Sequence, residues 1–161
     1  MIYFFILIFF ASSFVKAELV QKKIFSLPSY KTVGGKTIQD VKIGWESYGT
    51  LNKAKDNVIL ITHYFSGTSH AAGKYKDTDA QPGYWDSIIG PKKAIDTNEF
   101  YVISSDTLIN LNVKDPNVTT TGPATINKKT GKPYALDFPI VTVRDFVNVQ
   151  HELLKSLGIK K

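Results

Sequence analysis

The segment from Val58 to Gly73, VILITHYFSGTSHAAG, constrains this chain more than any other. Val58, Ile59, Leu60 and Ile61 form a short, uninterrupted apolar run rich in β-branched residues, the composition of a strand covered on both faces in a parallel sheet. A polar loop of His, Ser and Gly follows at once, and in open α/β sheets ligands collect outside the carboxyl ends of such strands. The predicted fold class is therefore α/β, and His63, Ser66 and Gly67 are the first candidates for a site.

The flanking sequence fits that frame. Lys23 to Leu27 and Asp40 to Tyr48 read as strands joined across Val33-Gly34-Gly35-Lys36, a tight-turn sequence, which predicts an antiparallel hairpin. Val41, Ile43 and Trp45 alternate with Lys42, Gly44 and Glu46, so the first set is expected to pack and the second to meet water. Tyr84, Trp85, Ile88 and Ile89 form an apolar cluster expected to fold over the sheet as one helical turn, and Phe100 to Ser104 predicts a second buried strand. Thr107 to Phe138 shows no period, and a loop that long in a compact domain is functional or poorly ordered. Thr142 and Asp145 form a capping pair, after which Val143, Phe146, Val147, Gln150, Leu153, Leu154 and Leu157 predict one mostly apolar helical stripe. Gly158 is a left-handed stop with Ile159 folding back on the last turn.

Composition narrows the function classes. There is no Cys, which excludes disulfides, thiolate metal sites and a cysteine nucleophile. The chain carries a formal charge of +6, but every basic residue except Arg144 is a lysine, and the lysines are scattered rather than striped with aromatics. That pattern is a solvated surface and not a nucleic-acid footprint. Ile2 to Val15 is a nearly unbroken apolar run closed by Val15-Lys16-Ala17, a small-residue cleavage pattern, so residues 1–17 read as a secretory signal peptide. Such a run is shorter than the roughly 20 residues needed to span hydrocarbon. The expectation is export to the periplasm or medium, with no stable membrane insertion once the leader is removed.

Longer blocks carry a resemblance. HYFSG (His63 to Gly67), PGYWDSIIGPKKAIDT (Pro82 to Thr97), FYVISSD (Phe100 to Asp106) and TGPATINKKTGKPYALDFPIVTVRD (Thr121 to Asp145) resemble, in order, the amino-terminal half of homoserine O-acetyltransferases, a family of the α/β-hydrolase superfamily. The similarity runs from about Phe25 to the last residue. It implies an antiparallel hairpin plus parallel strands with flanking helices, with residues 18–161 as a partial α/β-hydrolase domain that stops before the nucleophile strand. In that superfamily the serine lies on a G-x-S-x-G turn after the fifth strand, and the acid and histidine follow it. No G-x-S-x-G occurs among these 161 residues. The resemblance thus places all three triad positions beyond Lys161.

The remaining chemistry is that of an oxyanion hole, which needs one backbone donor after the nucleophile and one from the loop after the third strand. The resemblance assigns the second donor to the Phe65 N–H, with Ser66 bordering the acyl pocket and Gly67 letting the backbone pass close by. Without the resemblance, Ser66-Gly67 is equally a plain turn. Ser66, His70 and Asp86 supply triad residue types in one region, but nothing gives Ser66 a strained strand-to-helix elbow. His63 is expected to orient the loop through hydrogen bonds, and His151 to be solvated; neither suggests a metal ligand. No cofactor is expected.

The sequence departs from the family at Leu108 to Thr120, LINLNVKDPNVTT, where acetyltransferases carry a glycine-rich stretch with a cysteine, and at Thr68, where Asp is usual. With the leader, these departures favour water as the acyl acceptor. The expected substrate is a small-molecule acyl ester or thioester. The alternatives are a non-catalytic fragment, a module whose sheet a second chain completes, self-association through an exposed sheet edge, or a small lysine-rich binding protein.

Overall fold

The structure, a computed structural model, describes residues 18–160. The leader reading therefore lies outside the described residues. In chain order the strands are β1 (Lys23–Lys31), β2 (Thr37–Tyr48), β3 (Val58–Ile61), β4 (Ile89–Gly90), β5 (Ile95–Asp96), β6 (Tyr101–Ser105), β7 (Ile126–Asn127) and β8 (Lys132–Pro133), followed by helix α1 (Val143–Ser156). The main sheet has the order β1-β2-β6-β3. β2 pairs antiparallel with both β1 and β6, while β3 and β6 run parallel with Ile61 opposite Ser104. Both parallel strands therefore release their chains at the same end of the sheet.

The hairpin forms as expected, with Gly35 at φ 82° in its turn. It is longer at both strands than the sequence pattern indicates. β1 continues through Pro28 because it is an edge strand, where a missing N–H costs no ladder bond. Opposite Pro28, Asp40 takes φ 52°, and the pairing resumes on either side at Leu27–Val41 and Ser29–Gln39.

The two faces of the sheet are covered differently. Ile43, Trp45 and Ile103 pack with Leu108 and with Val149, Leu153 and Ile159 around α1. Tyr48, Ile61 and Val102 pack on the other face with Val20, Ala71, Ala72 and Ile89, the last at the end of the turn that Trp85 nucleates. Each fully buried side chain of this size contributes about 1.5–3 kcal/mol. The second layer overturns one expectation: Gly44 and Glu46 are buried and only Lys42 meets water, because the loop after β3 covers Glu46 through His70 and Tyr75, while Asp106, Thr119 and Lys22 close over Gly44. A second correction concerns β3. Val58, Ile59 and Leu60 are half-buried rather than covered on both faces, since β3 is the last strand of the sheet among the described residues.

Helix α1 begins with the expected capping box, in which Asp145 Oδ2 accepts from the Thr142 amide (2.7 Å) and hydroxyl (2.9 Å). The other carboxylate oxygen accepts from Tyr30 Oη and the Val33 amide, both at 2.7 Å, and so fastens the helix to the β1–β2 hairpin. This tie rotates the helix relative to the predicted stripe. Gln150 and Leu153 are buried and Phe146, Leu154 and Leu157 pack on the core as expected, but Val143 and Val147 are 72% and 55% exposed, and Asp145 and Val149 join the packed face in their place. At the far end Gly158 takes φ 76° and Ile159 returns its amide to Leu154, as expected of a Schellman stop.

Asp145→Ala removes a cap and the acceptor of the Tyr30 hydroxyl, which keeps only the bond it accepts from Asn148 Nδ2 (3.2 Å), so urea denaturation of the chain should show a loss of at least about 2 kcal/mol. A loss below about 0.5 kcal/mol would contradict the double role given to this carboxylate.

Candidate functional site at the carboxyl ends of β3 and β6

Immediately after β3 the chain makes a turn across Tyr64–Gly67, closed by the Gly67 amide donating to Tyr64 O at 2.7 Å. His63 Nδ1 lies 2.7 Å from the same carbonyl. A carbonyl only accepts, so Nδ1 carries a hydrogen and the Tyr64–Phe65 peptide is pinned by two donors. In a trans peptide the N–H points opposite to the C=O. The Phe65 N–H is therefore turned away from the turn's interior, and no acceptor takes it among the described residues. It lies outside any strand ladder, and the Phe65 side chain is 84% exposed. At Gly67 a Cβ would sit 3.0 Å from both His63 Cβ and Tyr64 O, so the turn closes this tightly only around glycine. Ser66 is exposed at its tip. His63 Nε2 is buried and has no partner among the described residues.

Two residues that sequence reasoning passed over hold this turn from the side. Asn110 Nδ2 donates to Gly67 O at 2.9 Å, and Asn112 Nδ2 donates to Ser66 O at 2.8 Å. Both belong to the aperiodic stretch after β6. That stretch is fixed by side chains instead of regular structure: Leu108, Asn110 and Thr121 are buried, and β7, β8 and one 3-10 turn at Ala135–Asp137 are its only regular elements.

Beneath the turn lies a buried charge cluster. Glu46, with no solvent exposure, faces Lys22 Nζ (2.8 Å), His70 Nδ1 (3.1 Å), Tyr75 Oη (2.6 Å) and Tyr48 Oη (2.8 Å). Lys22 also donates to Ser69 Oγ. Asp106, at the end of β6, is buried too and accepts from the Ser69 amide at 2.8 Å and the Thr119 amide at 3.0 Å. Burial opposes charge on Glu46, but the hydrogen bond from His70 and the charge and hydrogen bond of Lys22 outweigh it and hold the carboxyl below its ordinary range. Burial, then the Glu46 charge, pushes the Tyr48 and Tyr75 hydroxyls far up, so both serve as neutral donors.

These partners separate the trio of triad-type residues. His70 is committed to Glu46, and Asp86 accepts from the Gly73 amide (2.8 Å) and pairs with Lys93 (3.3 Å). Neither turns to Ser66. His151 lies exposed on α1, as expected. Among the described residues no group of His, Asp and Glu is arranged to hold a metal.

A hairpin leading into parallel strands, with a free backbone donor at the carboxyl end of the sheet, is the amino-terminal part of an α/β-hydrolase. Esterase E22 is 70% identical in sequence and superposes with a TM-score of 0.87 over 89% of this chain and 39% of its own. Homoserine O-acetyltransferase from Bacillus anthracis is 54% identical, with a TM-score of 0.86 over 88% of this chain and 38% of its own. Homoserine O-acetyltransferase from Methanococcus vannielii is 48% identical over 143 residues, 88% of this chain and 28% of that protein. The chain belongs to the homoserine O-acetyltransferase family and spans about a quarter to two fifths of the length of these relatives. No family model matches it.

Because the folded Glu46 is held below its ordinary range, its contribution is fully present above about pH 4.3, the usual glutamate value, and is lost as pH falls through the lower folded value. Glu46→Gln should remove that acid-side slope and, by taking from Lys22 its 2.8 Å partner and leaving it only Asp106 at 3.7 Å, cost about 1–3 kcal/mol at pH 7. Urea titrations at several pH values check this, and parallel stability curves for the two proteins would contradict it.

Proposed function

We propose that this chain supplies the oxyanion-binding part of a serine-dependent acyl-transfer enzyme, with the Phe65 N–H as one of the two donors. The observation that carries the reading is the unengaged Phe65 amide at the carboxyl end of β3, held in direction by the two donors on Tyr64 O. Ser66 borders the acyl pocket and Gly67 allows the close turn. One such donor supplies about 2.7–4 kcal/mol of the roughly 8–23 kcal/mol by which enzymes lower barriers. The nucleophile, its histidine and its acid come from residues other than these 161, none of which forms a G-x-S-x-G elbow. The substrate is a small acyl ester or thioester and the acceptor is water, a choice supported by the 70% identity to an esterase.

The same reading makes this an exported protein cleaved after Ala17. It is supported by the apolar run of Ile2 to Val15 and by the small-residue pattern Val15-Lys16-Ala17 that closes it. Among the described residues no helix is long and apolar enough to cross a membrane. In an export-competent host the mature amino terminus should be Glu18, and a product that retains Met1 would refute export. A second reading, a module completed by another chain or by a copy of itself, is favoured by the open edge of β3 among the described residues.

The test is a fusion in which this chain replaces the matching portion of esterase E22. The fusion should hydrolyse an activated acetyl ester while the chain alone does not. In the fusion, Phe65→Pro, which deletes the N–H, should lower kcat by about 10²–10³, whereas Phe65→Ala should leave it within a few-fold. A folded but inactive fusion, or turnover by the chain alone that Ser66→Ala abolishes, overturns the proposal. Activity on mixing the chain with the separate remainder of esterase E22 would establish the second reading.

A further inference from the structure

The loop after β6 carries a backbone outlier that its neighbours enforce. Ile109 takes φ 47°, a left-handed conformation that a β-branched residue adopts only under strain. Its amide donates to Thr121 O at 3.0 Å, and it lies against Gly122, where a Cβ would sit 3.0 Å from Ile109 Cγ2. Strain held in place like this points to a use. The residue that follows the outlier is Asn110, 97% buried, whose amide reaches 43 positions back along the chain to Gly67 O. Asn110 Oδ1 in turn accepts from the Asn112 amide at 2.9 Å and from Asn112 Nδ2 at 3.1 Å, which sets the direction of the Asn112 donor toward Ser66 O.

We infer that Asn112, oriented by Asn110, is a positioning residue for the Phe65 N–H: the pair fixes the peptides that follow Phe65 as His63 and Gly67 fix the peptide that precedes it. The inference rests on the oxyanion reading for its functional meaning but on the geometry of the turn for its physical content. The Ser66 and Gly67 carbonyls are partial negative charges next to the site where an oxyanion would develop. Donors from Asn112 and Asn110 draw both toward the β6 loop and offset part of that charge, so that neither of these two carbonyls is left free near the Phe65 donor. A turn without this clamp samples other peptide orientations, and catalysis by preorganised dipoles is lost in proportion to the time spent in them.

Two readouts test the inference. In the full chain, the Phe65 amide should show a backbone order parameter of about 0.85, falling below about 0.6 in Asn112→Ala while the amides of α1 are unchanged. Asn112→Asp, which keeps the shape but has no donor, should do the same and covers the case in which the alanine variant folds poorly. In the esterase E22 fusion, Asn112→Ala should lower kcat at least tenfold with KM within about twofold, whereas Asn117→Ala, a control in the same loop whose backbone and not its amide is bonded, should not. An unchanged Phe65 order parameter in both Asn112 variants overturns the inference, as does a rise in KM at constant kcat. A fusion inactive even with Asn112 intact counts against the oxyanion reading alone, because the order parameters still decide whether the clamp exists.

Discussion

A carboxylate with no access to water organises this structure. Glu46 joins three pieces of chain at one point: the segment before β1 through Lys22, the inner half of β2, and the loop after β3 through His70 and Tyr75. An unpaired charge in that position is unaffordable in free-energy terms, so the loop can only close over the sheet with its donors in place. The cluster is thus a condition on the loop's path as much as a source of stability. Nearer the site, Ser69 is held on the Asp106 carboxylate, and the turn at Tyr64–Gly67 closes on its own backbone bond.

Above it, the site is built from opposite directions. His63 and the Gly67 amide hold the peptide before Phe65, and two asparagines from the β6 loop hold the peptides after it. The parallel register of β3 and β6 makes this possible, since it brings both loops out at one end of the sheet. What results, among the described residues, is a fixed dipole to which no serine–histidine pair is turned. That division suits acyl transfer, where electrostatic stabilisation and covalent attack come from separate parts of a fold.

How far this could be read in the sequence depended on the range of the interaction. The hairpin turn, the capping box at Thr142–Asp145 and the stop at Gly158–Ile159 rest on contacts within a few residues, and β3 and β6, although they pair across 43 positions, each show as a short local apolar run. Glu46 was misplaced on a solvent face because strand alternation carries no information about a second layer that folds over it. Helical periodicity places Val147 on the packed stripe, but the tie from Asp145 to Tyr30, 115 positions apart, brings Asp145 and Val149 to that face and leaves Val147 outside it. Asn110 and Asn112 were missed for a related reason. Neutral amides in a stretch without period give no signal, and their partners lie 43 and 46 positions away. The one local clue was that a segment without regular structure had kept apolar residues such as Leu108, which is fully buried.

The central claim is that the Phe65 amide receives the charge of an acyl-transfer intermediate. A crystal structure of the esterase E22 fusion, with a phosphonate bound covalently at its serine, measures this directly. The account predicts a phosphonyl oxygen about 2.7–3.1 Å from Phe65 N, with the Tyr64 carbonyl still turned toward His63. An oxygen more than about 4 Å away, or one held by other donors while the Phe65 N–H faces solvent, would contradict it.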